Sequence, residues 1–338
     1  MQAFLEAVHE KEGLPAALQR LREWSIATGY IRPDDLRLNR SFLWPDETYG
    51  LTFRAQVNVL RSRYTPQPRL PEVACPICFE NIAAPGRENL RAFELTLAGR
   101  SYFLHLTPFP LFPGHFVLVQ KQHVPMRVDR NSVADLLAFV RQAPHVTACS
   151  NSDVEWAGAS ILSHHHYQII ENLHLPVMDA APVSELRFRC SRRGAEAAML
   201  HYPCPCIKIT CPDAEVFVEL CARVIEHWKM AVPGKNTCNL IVMNGPAGFT
   251  GYVFLRNPDF RTAAEFQEIK SEGVGVIEMA GEGIYPVPAG DEASRLWRRI
   301  RQEGLEIVKG IIRSNSPITR EHFADIFRDF AAVLSRAC

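Results

Sequence analysis

Gly158-Ala159-Ser160-Ile161-Leu162-Ser163-His164-His165-His166-Tyr167-Gln168-Ile169-Ile170 is the stretch on which the reading of this 338-residue chain turns. Side chains alternate along an extended strand, so His164, His166 and Gln168 share one face while His165 and Tyr167 share the other. The flanking pairs Ile161-Leu162 and Ile169-Ile170 suit a strand buried at both ends and polar only in its middle. A histidine tract can also bind adventitious metal, and a core histidine is often merely hydrogen-bonded. Here the Gly-Ala-Ser segment adds a hydroxyl and nearby backbone donors suited to an anion, so the polar face is a candidate site for anion chemistry.

With Asn151 ahead of it, this pattern resembles the transferase branch of the histidine-triad superfamily, which holds galactose-1-phosphate uridylyltransferases, dinucleoside polyphosphate phosphorylases and GDP-L-galactose phosphorylases. Gln168 stands where the hydrolase branch has its third histidine. The resemblance implies an α+β fold of two histidine-triad-like halves, each an antiparallel sheet with packed helices, in a half-barrel-type architecture. It also implies that His166 attacks the α-phosphorus of a nucleotide sugar or dinucleoside polyphosphate. A phosphate or sugar phosphate would then take the nucleotidyl group. Imidazole is a competent nucleophile near pH 7, and Gln168, which cannot titrate, could only hydrogen-bond the nonbridging oxygens. His164 joins His166 and Gln168 as catalytic residues, and Asn151, Gly158, Ala159 and Ser160 become substrate contacts. The rival expectations are a hydrolase of nucleotide conjugates and a nucleotide-binding protein without turnover.

Charge is balanced, with 37 basic and 37 acidic residues, so the overall field points to no nucleic-acid or anionic-membrane partner. The chain meets charge within its first residues and has no apolar run near the roughly 18 residues a membrane span needs. A cytoplasmic enzyme, with room for a homodimer, is the expectation. The ten cysteines follow no regular repeat, so reduced thiols are expected, with Cys149, Cys190, Cys221 and Cys238 packing as small hydrophobes.

Along the chain, Phe4, Leu5, Val8, Leu14, Leu18, Leu21 and Trp24 predict an amphipathic helix. Short strands, Tyr49–Phe53 and Gln56–Leu60, follow among the prolines 45, 66, 68 and 71. Strands at 92–97 and 116–119, a helix over 132–141 and the histidine strand match one half of the resembled fold. Strands at 206–209, 239–243 and 252–255, with a helix over 214–230, loosely repeat that order. Helices are also expected over 291–312 and 320–334. The expected division is an N-terminal segment 1–70, a catalytic half 71–184 and a degenerate half 185–338.

Cys75-Pro76-Ile77-Cys78 has the spacing of two zinc ligands, although two packed thiols would read the same way. The resemblance would complete a structural zinc site with His115 and His164. Cys204-Pro205-Cys206 is assigned to packing. Lys121, in Gln120-Lys121-Gln122-His123, could face a phosphate or lie on a solvated surface. Arg256, at the end of a strand, could grip phosphate bidentately. Asn244–Gly251 and Gly281-Glu282-Gly283 are expected to be turns.

Overall fold

The computed structural model describes residues 1–59, 61, 68–191, 193–287 and 291–336, with the backbone alone at 83 and 291–293. Two helices, α1 (Gln2–Glu12) and α2 (Leu14–Ala27), stand where one was expected, because Gly13 at φ +87° breaks the stripe and Pro15 enters the first turn of α2. After the short α3 (Pro33–Leu36) come β1 (Arg40–Asp46) and β2 (Leu51–Val57). Pro45 lies inside β1, which is tolerated because β1 is an edge strand. The two expected pieces merge into β2, and Leu60 lies outside the described residues.

The large sheet is built from β3 (Phe93–Leu97), β4 (Arg100–Leu106), β5 (His115–Gln120), β6 (Val146–Ser150) and β7 (His166–Glu171), with α4 (Arg130–Gln142) between β5 and β6. It continues with β8 (Pro182–Cys190), β9 (Ala195–Leu200), β10 (Cys206–Cys211), β11 (Thr237–Gly245) and β12 (Gly248–Arg256), with α5 (Ala214–Ala231) between β10 and β11. Sequence reading missed β4, β6, β8 and β9. The ten strands run in the order β3-β4-β5-β7-β6-β11-β12-β10-β9-β8. Each half therefore has the same path, three strands, a helix, then two strands, and the halves meet where β6 pairs antiparallel with β11. The chain is α+β, as expected.

A second sheet joins β1, β2 and β13 (Glu282–Tyr285), the last parallel to β2. Glu282 and Gly283 are thus strand rather than turn, a parallel pairing that only distant residues could reveal. The chain also forms α6 (Val276–Met279), α7 (Asp291–Ser314) and α8 (Phe323–Ser335). The large sheet is covered on one face by α1, α2, α4, α5 and α8 and on the other by β2, α6 and α7, giving two apolar layers. Tyr167 and Ile169 of β7 enter the helical layer and are buried, each such apolar side chain contributing about 1.5–3 kcal/mol. Cys75, Cys78, Cys149, Cys204, Cys206, Cys211, Cys221 and Cys238 are buried free thiols, whereas Cys190 is disulfide-bonded, contrary to expectation. Among the described residues no helix is long and apolar enough to cross a membrane.

Candidate functional site

Register places the site. His166 pairs with Val119 of β5, and Gln168 pairs with Val117 of β5 and Cys149 of β6, so His166 and Gln168 project from the face opposite the helices. Cys149 in turn pairs with Ile241, which pairs with Tyr252. Across this junction Tyr252 holds the position matching Gln168, and Thr250 that matching His166. The second half therefore lacks the imidazole, and the site is one-sided.

His166 Nδ1 lies 2.8 Å from the carbonyl oxygen of His164. A carbonyl only accepts, so Nδ1 carries the proton and Nε2 keeps its lone pair. Nothing among the described residues bonds Nε2. Burial holds the imidazole below the ordinary histidine range, so the neutral form dominates near pH 7. Gln168 Oε1 also lacks a partner, leaving the carboxamide available on the same face.

His164 precedes the first residue of β7 and faces a different group. Its Nδ1 is 3.4 Å from Cys75 Sγ and 3.5 Å from Cys78 Sγ, and Cys78 Sγ is 3.0 Å from His123 Nδ1. The ligand atoms of Cys75, Cys78, His123 and His164 all lie within 4.8 Å of one another. A tetrahedral zinc with two sulfurs and two nitrogens sets its ligands about 3.3–3.8 Å apart, so these four residues can hold such an ion with little movement. His164 Nε2 donates to the Gln120 carbonyl at 2.7 Å, the outer hydrogen bond that orients a ligating histidine.

His115 is not the fourth member. It pairs with Ile170, four residues along β5 from Val119 and so roughly 13 Å from the level of His166. There it is buried, its Nδ1 accepts from the Leu111 N–H at 3.2 Å, and burial drives its pKa down to about 3. His123 was missed, although the Lys-x-His ending of its segment carried the signal.

The Gly158 segment is packed against the second half. Gly158 has φ +105°, and a Cβ there would lie 2.4 Å from Gly275 Cα. Asn151 Oδ1 accepts the Val276 N–H at 2.9 Å, so this residue holds the loop at α6. Ala159 follows half-buried, and Ser160 is exposed. Trp156 takes φ +64°, unusual for a bulky residue, with the Arg261 guanidinium 4.4 Å from its ring centroid.

Two expected phosphate contacts lie elsewhere. Lys121 pairs with Glu94 and sits 4.4 Å over the Phe79 ring. Arg256 is completely buried. Its Nη1 donates to Asn239 and, at 2.9 Å, to the Val274 carbonyl, while Nε and Nη2 have no partner. Burial lowers its pKa to about 10, which leaves it charged at neutral pH. Through that carbonyl it supports the 274–276 segment beneath Gly158.

Residues 46–171 match a family described as "Domain of unknown function (DUF4922)". The chain is 25% identical over 319 residues to a galactose-1-phosphate uridylyltransferase of Caldanaerobacter subterraneus subsp. tengcongensis, covering 82% of this chain and 61% of that protein. It is 26% identical over 337 residues to the enzyme of that name from Pediococcus pentosaceus, covering 89% and 66%. The chain thus spans about three fifths of the length of these relatives. In structure it resembles yeast Ap4A phosphorylase Apa2, with a TM-score of 0.58, 13% identity, and coverage of 88% of this chain and 94% of that one. The chain is thus similar in sequence to these uridylyltransferases and in fold to the phosphorylase.

Proposed function

We propose that this protein is an enzyme that transfers a nucleoside monophosphate from a nucleotide sugar or dinucleoside polyphosphate to phosphate or a sugar phosphate, through a covalent nucleotidyl-His166 intermediate. The observation that carries this reading is the protonated Nδ1 of His166 held on the His164 carbonyl, which leaves Nε2 as a free nucleophile on the open face. In the first step the Nε2 lone pair forms a bond to the α-phosphorus, and the bond from phosphorus to the leaving phosphate oxygen breaks. The leaving group departs as a phosphate anion and takes no proton. In the second step an oxygen of the acceptor phosphate attacks the same phosphorus and returns the electron pair to Nε2.

The Gln168 carboxamide donates to the nonbridging oxygens, where charge grows in both transition states. Ser160, the amide nitrogen of Asn151 and the loop at Gly158 bind the neighbouring phosphate. Structural zinc on Cys75, Cys78, His123 and His164 belongs to this reading, as does a cytoplasmic location. It would hold His164, and hence the residue that fixes the His166 tautomer.

The test is to incubate the protein with radiolabelled UDP-, GDP- and ADP-sugars and dinucleoside polyphosphates and to look for acid-labile label on the chain. Label lost in His166→Ala and discharged by phosphate or a sugar phosphate supports the proposal. Turnover without any adduct, insensitive to phosphate, would favour a hydrolase.

A further inference from the structure

Behind the nucleophile, on the helical side of the sheet, lies a closed set of polar groups. Asp135 of α4 is 1% exposed in the helical layer. Its carboxylate accepts the Tyr102 hydroxyl at 2.5 Å and the Tyr167 hydroxyl at 3.2 Å, and Arg100 donates to it through Nε at 3.1 Å and Nη2 at 2.6 Å. The chain of bonds continues to His165. The Arg127 N–H donates to His165 Nδ1 at 3.2 Å, so Nε2 carries the proton and donates to the Tyr167 oxygen at 2.7 Å. The two residues flanking His166 are thus tied to each other and, through Tyr167, to one carboxylate on a neighbouring helix.

His166 needs such support because its strand is only half paired there. The ladder between β6 and β7 stops at Cys149 and Gln168, whereas the ladder between β5 and β7 runs on to Val119 and His166. On the β6 side His166 and Tyr167 have no strand partner, and the His166 N–H meets only the Met126 sulfur there, at 3.3 Å. A strand end held along one edge can rock about that edge. The side chains that resist rocking are those locked on the reverse face, His165 and Tyr167.

We propose that Asp135, Tyr167 and His165 form a positioning brace that aims the His166 imidazole for nucleotidyl transfer. The proposal rests on the reading of His166 as nucleophile. Asp135 and Tyr167 touch no substrate; they act through the orientation of β7. Misplacing a reacting group by about 1 Å can cost on the order of 100-fold in rate, so a loosened brace should be visible in the chemical step.

Tyr167→Phe removes one hydroxyl, and with it the bonds to His165 and Asp135, without changing the ring. Tyr102→Phe removes a bond to the same carboxylate from a β4 hydroxyl that makes no direct bond to His165, and serves as the structural control. Both variants should lose thermal stability. Tyr167→Phe alone should slow formation of the covalent adduct at saturating donor, by roughly 10- to 100-fold, with donor affinity unchanged. Equal effects of the two variants on adduct formation, or none in Tyr167→Phe, would overturn the brace.

A second readout does not need the adduct. The 15N and 13C resonances of the His166 imidazole should shift in Tyr167→Phe and not in Tyr102→Phe, and an unmoved signal overturns the proposal. If the unaltered protein forms no adduct with any donor, the nucleophile reading fails on that result, and the imidazole signals still decide whether the brace positions His166.

Discussion

His164 and His166 are joined by the bond from the Nδ1 proton of His166 to the His164 carbonyl oxygen, 2.8 Å long, while the His164 ring itself faces Cys75 and Cys78. The candidate metal centre and the candidate nucleophile are therefore one residue apart in mechanical terms. The residue that would hold the metal is also the one whose carbonyl accepts the His166 Nδ1 proton.

His166→Ala should abolish covalent labelling and leave the fold intact. The ring is half-buried on the open face, while β7 is anchored by Tyr167, Ile169 and Ile170, which stay in place. Labelling with a radioactive donor, beside a thermal melt, checks it; a labelled variant would move the nucleophile elsewhere.

The purified protein should contain about one zinc per chain, and Cys75→Ser, Cys78→Ser and His123→Ala should each lower the zinc content and the melting temperature. His115→Ala should keep its zinc, because His115 bonds to Leu111 at the other end of β5. Elemental analysis of the four variants separates the two histidines. Retention of metal in His123→Ala together with its loss in His115→Ala would contradict the geometry.

Gly158→Ala should weaken the fold by about 1–3 kcal/mol and depress activity, since the new methyl meets the Gly275 backbone and the φ of +105° disfavours any side chain. Denaturant unfolding gives the first quantity and steady-state turnover the second. Lys121→Ala, by contrast, should leave activity near that of the unaltered protein, because this exposed ammonium is already engaged by Glu94 and Phe79.

The histidine strand was legible in the sequence because two physical signals coincide there: alternation sets which groups share a face, and the apolar flanks set how deeply it is buried. The helix over 130–142 was legible for a similar reason, with Asp129 capping it by accepting from Asn131 and Ser132. β6 and β9 were not, since both are buried almost throughout and show no clear two-residue alternation that separates strand from helix. β13 was hidden because its strand partner among the described residues, β2, lies more than 200 positions earlier. The fourth metal candidate was placed at the wrong end of β5: His115 opens that strand and His123 lies just past its last residue, and only the register with β7 tells which end meets His164. Arg256 illustrates the opposite failure. A strand-end arginine was expected to grip phosphate, yet the fold buries it completely, with one nitrogen bonded to Asn239 and to the Val274 carbonyl.

The acceptor offers the sharpest test of the chemistry. Gln168 is an amide and supplies no general base for water, and the adjacent imidazole, His165, faces the helices and is bonded to Tyr167 and Arg127. A phosphate anion needs no deprotonation to attack, so inorganic phosphate or a sugar phosphate should accelerate donor consumption strongly, whereas the donor alone should leak only slowly to water. With Lys121 paired to Glu94 and Arg256 fully buried, the proposed acceptor contacts are Ser160, Asn151 and the backbone of the Gly158 loop, and on that proposal Ser160→Ala should raise the acceptor KM more than it lowers the rate of adduct formation. Because the intermediate separates the half-reactions, double-reciprocal plots at several acceptor concentrations should be parallel. Intersecting lines would mean that both substrates must be bound before phosphorus is transferred, and the covalent route through His166 would have to be abandoned.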